Sequence, residues 1–227
     1  MEHYNVLIAT PGKLLHAEYV SSLIDTTRWL NSKGLTYRFL NKQSSFIPSG
    51  RELTALDVYQ SQNDNLENYV VGSNKYTYDK IIWIDSDIQW TIEDFEKIYE
   101  SELDIVAGLY ASHPDGTVAC ALFHPEYLQR NLERPVKTHE ISFFMKDEPV
   151  EVFGVGFGFM AVKFGVFENM DLPWFKIEHL KWDNLPFENN AGEDYSWCMN
   201  ARRNGYKTFV DPTVKVLHHK ETIYQLP

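Results

Sequence analysis

The chain has 227 residues, 44% of them hydrophobic, which is enough for a full core in one large α/β domain or two small ones. Its formal net charge of −11 excludes a general nucleic-acid binder, which needs a basic surface, but not a nucleotide whose charge a bound metal offsets. Only Cys120 and Cys198 are present, so there is no disulfide framework and no cysteine-based zinc site.

The first residues lack a basic n-region, and Val6 to Ala9 is too short for a signal core. The longest apolar-rich stretch, Val150 to Phe167, holds Glu151, Lys163 and four glycines and makes a poor membrane span. These features predict a soluble, cytoplasmic protein.

In chain order, Val6-Leu-Ile-Ala reads as a buried strand and Thr10-Pro-Gly as the turn after it. His16 to Ser32 has Val20, Leu23, Ile24 and Leu30 at helical spacing, and Gly34 stops the helix. Leu35 to Leu40 is a second strand, Ser44 to Gly50 a polar loop, and Arg51 to about Asn63 a further helix. Ile81 to Ile84 is a strand, and Thr91-Ile-Glu-Asp is a capping-box start to a helix from Ile92 to Ser101. Asp104 to Tyr110 returns as a strand. This alternation predicts an α/β sheet whose first half is mostly parallel. In such sheets ligands bind beyond the carboxyl ends of the strands. The Thr10 turn, the end of the Ile81 strand and the loop after Gly108 should share that edge.

The second half is less regular. Val118 to His124 and Ile141 to Met145 are short strand candidates, and Glu151 to Val162 alternates glycine with bulky residues. Repeated glycine in a strand points to bulges or a close backbone approach. Lys176 to Ala191 reads as a mobile loop, Asp194 to Asn204 as a helix ended by Gly205, and two strands follow, one through Val210 and one from Thr213 to Leu217. No repeat or linker interrupts residues 1–227, so one domain is expected, with a break in character near residue 110.

The chemistry concentrates at Lys80-Ile-Ile-Trp-Ile-Asp-Ser-Asp-Ile. A buried strand ends there in two carboxylates, Asp85 and Asp87. They repel each other unless something cationic neutralises them, and a divalent metal carrying a diphosphate does so. Asp87 would bind Mn²⁺ or Mg²⁺, and Asp85 the ribose or the metal's water shell. The plain alternative is a pair of solvated turn acids.

Six segments taken in order carry a resemblance. They are Leu7-Ile-Ala-Thr-Pro-Gly, Ser49-Gly-Arg51, Ile82-Trp-Ile-Asp-Ser-Asp-Ile, Val155-Gly-Phe-Gly-Phe-Met, Gly192-Glu-Asp-Tyr-Ser-Trp-Cys and Val210-Asp-Pro-Thr-Val-Lys-Val-Leu-His. The set resembles small GT-A-fold glycosyltransferases with an Asp-X-Asp motif, of the bacterial, phage or large-DNA-virus type. That resemblance implies an α/β fold with a mixed central sheet. A Rossmann-like nucleotide-sugar-binding half would span about 1–110 and an acceptor-binding half about 111–227. It also implies roles. Thr10 and Pro11 border the base, and Arg51 faces the base or diphosphate unless it is merely a surface residue at a helix start. Asp85 and Ser86 lie against the donor, and Gly156 allows its close approach. Asp87, with Asp85 in support, holds the metal together with His218 or, alternatively, His219. The implied donor is a nucleoside-diphosphate sugar, UDP-linked, and the acceptor is a glycan or another hydroxyl compound.

Glu193 and Asp194 form a second acidic pair. Acids at a helix N-terminus offset its dipole, which is the plain account. In inverting members of the resembled family this position supplies the general base, which points to Asp194, with Glu193 as its alternative. Trp174, Phe175 and Trp182 are candidates to stack on a sugar ring. His113, His124, His139 and His179 have no ligand-like spacing. Two rival functions are a nucleotidyltransferase, which usually has a more glycine-rich basic loop than Thr10-Pro-Gly-Lys, and a non-catalytic nucleotide-sugar-binding module.

Overall fold

The computed structural model of the chain describes residues 1–58, 70–112, 118–123, 135–137, 146–180 and 189–220. The strand expected over 141–145, the far end of the helix expected from Arg51, His113, His124 and His139, and Trp182 lie outside these residues.

The expected mixed α/β architecture is present. A seven-stranded sheet runs in the order β2 (Tyr37–Leu40), β1 (Glu2–Ala9), β3 (Tyr76–Ile84), β10 (Phe159–Lys163), β5 (Ile105–Leu109), β13 (Thr208–Lys215) and β8 (Val150–Val152). β2, β1 and β3 are parallel, and β13 is parallel to β5. β10 runs antiparallel to both β3 and β5, and β8 antiparallel to β13. One reversed strand from the second half of the chain therefore sits in the middle of the sheet. All five co-directed strands still end on one edge.

Both faces of the sheet are buried, so its central strands are continuously apolar rather than alternating. Leu7, Ala9, Ile81 and Trp83 face one core, shared with Trp174, Trp197 and Ala201. Val6, Ile8, Ile82 and Ile84 face the other, shared with Tyr19, Leu30, Phe95 and Ile98. Those last four come from α1 (Ala17–Ser32) and α3 (Ile92–Glu100). The first core is closed by α2 (Ile47–Leu56) and α4 (Glu193–Arg203).

Several local expectations change. The buried stripe of α1 is Tyr19, Ser22, Thr26 and Leu30, while Val20 and Ile24 are exposed. The polar members are tolerated because Ser22 Oγ donates to the Trp90 carbonyl at 2.7 Å and Trp90 Nε1 donates to Thr26 Oγ1 at 2.8 Å. α2 begins at Ile47 rather than Arg51, with Pro48 in its first turn, where a missing N–H costs nothing. The two terminal strands are one, β13, with a register shift between Val210 and Lys215. Pro212 cannot donate to the ladder there, and Asp211 Oδ1 accepts from the Thr213 N–H instead. The expected loop from Lys176 to Ala191 is anchored at both ends by an antiparallel pair, β11 (Glu178–Leu180) and β12 (Asn189–Ala191). The capping box at Thr91 is formed in full, with Asp94 as its partner.

Four short strands complete the fold: β4 (Ile88–Gln89), β6 (Cys120–Phe123), β7 (Pro135–Lys137) and β9 (Gly154–Val155). A fifth, β14 (Leu217–His218), pairs antiparallel with β4 and carries the chain back to the Asp85–Asp87 turn. Among the described residues no helix is long and apolar enough to cross a membrane.

Candidate active site

β3 delivers Asp85 at its carboxyl end, one residue past the pairing of Ile84 with Phe159 of β10. The Asp85 N–H donates to the Gly158 carbonyl at 3.0 Å, and its own carbonyl accepts from the Ile88 N–H at 3.0 Å. This tight turn leaves Ser86 and Asp87 half-buried beside Asp85. β14 then places His218 beside Asp87, with Nε2 3.0 Å from Oδ2. The other ring nitrogen, Nδ1, is 2.8 Å from the Ala111 carbonyl. A carbonyl only accepts, so Nδ1 carries a proton. His219 points elsewhere, its Nε2 lying 2.8 Å from Gln89 Oε1. The strand alternation separates the two histidines, and His218 alone faces Asp87.

Arg51 is the centre of the charge distribution. It is 3% exposed, which rules out the surface-residue alternative. Nε donates to Glu193 Oε1 at 3.2 Å and Nη2 to Asp85 Oδ2 at 3.3 Å. Nη1 lies 3.2 Å from Asp85 Oδ1, paired by charge but out of line for a hydrogen bond. The guanidinium also covers the Phe157 ring at 5.2 Å. Burial works against its charge, but Asp85, Asp194 and Glu193 outweigh that and hold its pKa above the ordinary value. One arginine thus ties an acid of the first half of the chain to one of the second.

Asp194 opens α4, and its Oδ2 accepts from the Phe157 N–H at 3.3 Å. Burial raises its pKa to about 6; Arg51 opposes the rise and Glu193 adds to it. Burial also raises the pKa of Asp85, with Arg51 pulling it down and Asp194 and Asp87 pushing it up. Three carboxylates around one guanidinium leave the cluster with excess negative charge.

A cleft of about 370 Å³ opens over these groups, within the size range of small-molecule sites. Pro11, Arg51, Asp85, Ser86, Asp87, Glu193, Asp194 and His218 line it, joined by Gly12, Ser44, Ile47 and Gly50. Thr10 and Gly156 do not line it. Thr10 is fully buried and its hydroxyl bonds Tyr19 Oη. Gly156 is packed beneath Tyr110. Trp174 and Phe175 are core residues, 0% and 3% exposed, and present no ring to a sugar. The glycines of the 154–158 segment likewise make room for protein rather than ligand: Tyr195 packs on Gly154 and Tyr110 on Gly156 and Gly158. His179 is exposed on β11, away from these contacts.

Among the described residues no three His, Cys, Asp or Glu side chains can hold a metal unaided. The Asp87–His218 pair nevertheless fits a divalent cation. With Nδ1 protonated, Nε2 must either carry a second proton or turn its lone pair toward the Asp87 carboxylate. The second arrangement is a two-donor cation site, with the backbone bond to Ala111 fixing the tautomer as it does for metal-bound histidines. Mg²⁺-type sites often use only one or two protein side chains and take the rest from phosphate and water.

No protein-family model matches the chain, and no curated protein matches it. Among solved structures it is similar to A197 from STIV, at 18% identity over 100% of this chain and 98% of that one, with a TM-score of 0.50. It also aligns with the catalytic domain of Drosophila β1,4-galactosyltransferase 7 in complex with xylobiose. There the identity is 15% over 93% of this chain and 65% of that one, with a TM-score of 0.43. A third structure, GalNAc-T7 with UDP, GalNAc and Mn²⁺, aligns at 14% identity over 97% of this chain and 37% of that one, with a TM-score of 0.45. The A197 likeness spans both chains from end to end and is one of fold.

Proposed function

We propose that the chain is a glycosyltransferase that moves a sugar from a nucleoside-diphosphate donor, UDP-linked, to an acceptor hydroxyl with inversion at the anomeric carbon. The observation that carries this reading is the convergence, in one cleft, of the Asp87–His218 pair and Asp194 around the buried Arg51. The donor belongs with the first half of the chain, about 1–110, and the acceptor with the second, about 111–227.

In this reading Asp87 and His218 hold Mn²⁺ or Mg²⁺, with Asp85 in support. The cation, when bound, supplies positive charge that offsets the charge gathering on the leaving diphosphate. Pro11, Ser86 and Ile47 line the donor's side of the cleft. Arg51 keeps Asp85 and Glu193 compensated, so the acids can share one small space. Asp194 takes the proton of the acceptor hydroxyl while the new bond forms between that oxygen and the anomeric carbon. The bond from the anomeric carbon to the phosphate oxygen breaks, and the electron pair leaves with the nucleoside diphosphate. A base with a pKa near 6 is still ionised at neutral pH and is stronger than an ordinary carboxylate.

A thermal-shift screen of nucleotide sugars, each with and without Mn²⁺, tests the reading. One donor should stabilise the protein in a metal-dependent way, since a ligand that binds only the folded state raises Tm. Asp87→Asn should keep the fold, lose that dependence and lose turnover. Manganese that leaves nucleotide affinity unchanged would sink the proposal. Released nucleoside diphosphate marks transfer, whereas pyrophosphate would mark the nucleotidyltransferase alternative.

A further inference from the structure

Tyr110 stands one residue beyond β5, on the same edge as the cleft, but it does not line it. It is 8% exposed. Its phenol lies on the backbone of the glycine-rich segment. A Cβ on Gly156 would collide with Tyr110 Oη, and one on Gly158 would stand 2.5 Å from Cζ. Glycine at these positions therefore admits the tyrosine.

The contacts of that backbone reach both acids. The Gly158 N–H donates to Tyr110 Oη at 3.1 Å. The Gly158 carbonyl accepts from the Asp85 N–H at 3.0 Å. The Phe157 N–H donates to Asp194 Oδ2 at 3.3 Å. The Gly156 N–H is anchored to the Ala119 carbonyl at 2.8 Å. The Tyr110 ring meets the His218 ring edge-on, with centroids 5.4 Å apart and planes at 87°. Ala111, the next residue, supplies the carbonyl that fixes His218 Nδ1.

We infer that Tyr110 is a positioning residue for the cleft: its hydroxyl holds the Phe157–Gly158 backbone, which sets Asp85 and Asp194 in register, and its ring seats His218. Burial, with Asp85 and Asp194 nearby, raises the phenol's pKa well above its ordinary value, so the group acts as a neutral hydroxyl. Loss of the hydroxyl leaves the Gly158 N–H buried without its acceptor, and the strap loosens at that peptide.

Tyr110→Phe tests this with the shape of the ring retained. In amide hydrogen exchange followed by NMR, protection at Phe157, Gly158 and Asp85 should fall about tenfold or more, while Val6 to Ala9 in β1 keep theirs. Unchanged protection at the strap would overturn the proposal. So would a uniform loss across the sheet, which would mean that Tyr110 contributes only to overall stability. Gly156→Ala gives a second route, because it displaces the hydroxyl without removing it. It should produce the same local loss, and add little in a Tyr110→Phe background; full additivity would overturn the proposal. The kinetic consequence rests on the transferase reading: kcat should fall about tenfold with the donor KM within about twofold. Unchanged kcat beside a loosened strap would overturn the role in positioning. A wild-type protein that turns over no nucleotide sugar would count against the transferase reading alone, since the exchange pattern does not depend on it.

Discussion

Asp194 shows how burial sets the ionisation of one side chain against the fold. Its carboxyl is an acid in the first turn of a helix, which by itself favours ionisation. Burial beside Glu193 wins instead and lifts its pKa from 3.8 to about 6. A group raised in the folded state contributes stability that is fully present below its unfolded pKa and is lost as pH rises through the folded one. Above pH 6 the ionised Asp194 therefore weighs against the fold. Asp194→Asn should raise Tm at pH 7 to 8 by a few degrees (about 2–4 °C), with the gain vanishing near pH 4. On the transferase reading proposed above, the same variant should lower transfer by about a hundredfold or more. The wild-type kcat should fall on acidification with a limb near pH 6. An unchanged Tm at pH 8, read by calorimetry, would show that the buried charge is better compensated than its surroundings indicate.

The strands that carry the cleft depend on close backbone passage. Gly108 in β5 has no room for a side chain. A Cβ there would stand 2.6 Å from Val214 Cγ1 and 3.1 Å from Phe159 Cδ1. Val214 lies in the irregular stretch of β13 where Pro212 breaks the register, so β13 leans onto β5 at that point. Gly108→Ala should destabilise the protein by about 1–3 kcal/mol in urea denaturation, because neighbours on both sides are fully buried and cannot give way. Just beyond that point the Val216 N–H donates to the Leu109 carbonyl at 2.9 Å, which ties the approach to β14 to the end of β5. On the transferase reading proposed above, metal-dependent nucleotide binding should weaken in Gly108→Ala as well, and α3, which packs with Phe159 and Val214 in the same core, should loosen with them.

Across the molecule, ion pairs of one kind set the acid limit. Hydrogen bonds from Arg203 hold Glu178 down to about 2, despite partial burial and with help from Lys176. Burial disfavours the charge on Asp57, but Lys42 and Arg38 outweigh it and hold its pKa below the ordinary value. Groups lowered in this way stabilise the fold above their unfolded pKa, and that contribution is lost as pH falls through the folded one. Asp194 runs the other way between about 6 and 3.8. Stability measured by urea denaturation should thus rise slightly from pH 7 to 5, then drop by about 1–3 kcal/mol between pH 4.5 and 2. A monotonic fall from pH 7 would show that Asp194 and its neighbours are not the repulsive cluster described above.

Much of the fold was written in local pattern. Continuous apolar runs marked β1 and β3 because both faces of the sheet are covered, and the acids at the end of β3 followed from where such a run must stop. The capping box at Thr91 and the acidic opening of α4 were equally local, and both are present. Sequence periodicity misjudged the inner face of α1, since Ser22 and Thr26 are buried through hydrogen bonds to Trp90, a residue 64 or more positions away. The same limit hid the core of the candidate site. Arg51 was visible as a charge, but its burial between Asp85 and Glu193 depends on residues up to 142 positions apart. Tyr110 gave no signal beyond its place at a strand end, and the glycines that admit it read as bulges or a close backbone approach to a ligand. The reversed entry of β10 between β3 and β5 is a choice of partners, not of propensity. Side-chain period fixes which way a residue faces along its own strand; which neighbour it then meets is settled by the shared burial of distant segments, and only the folded chain makes that choice.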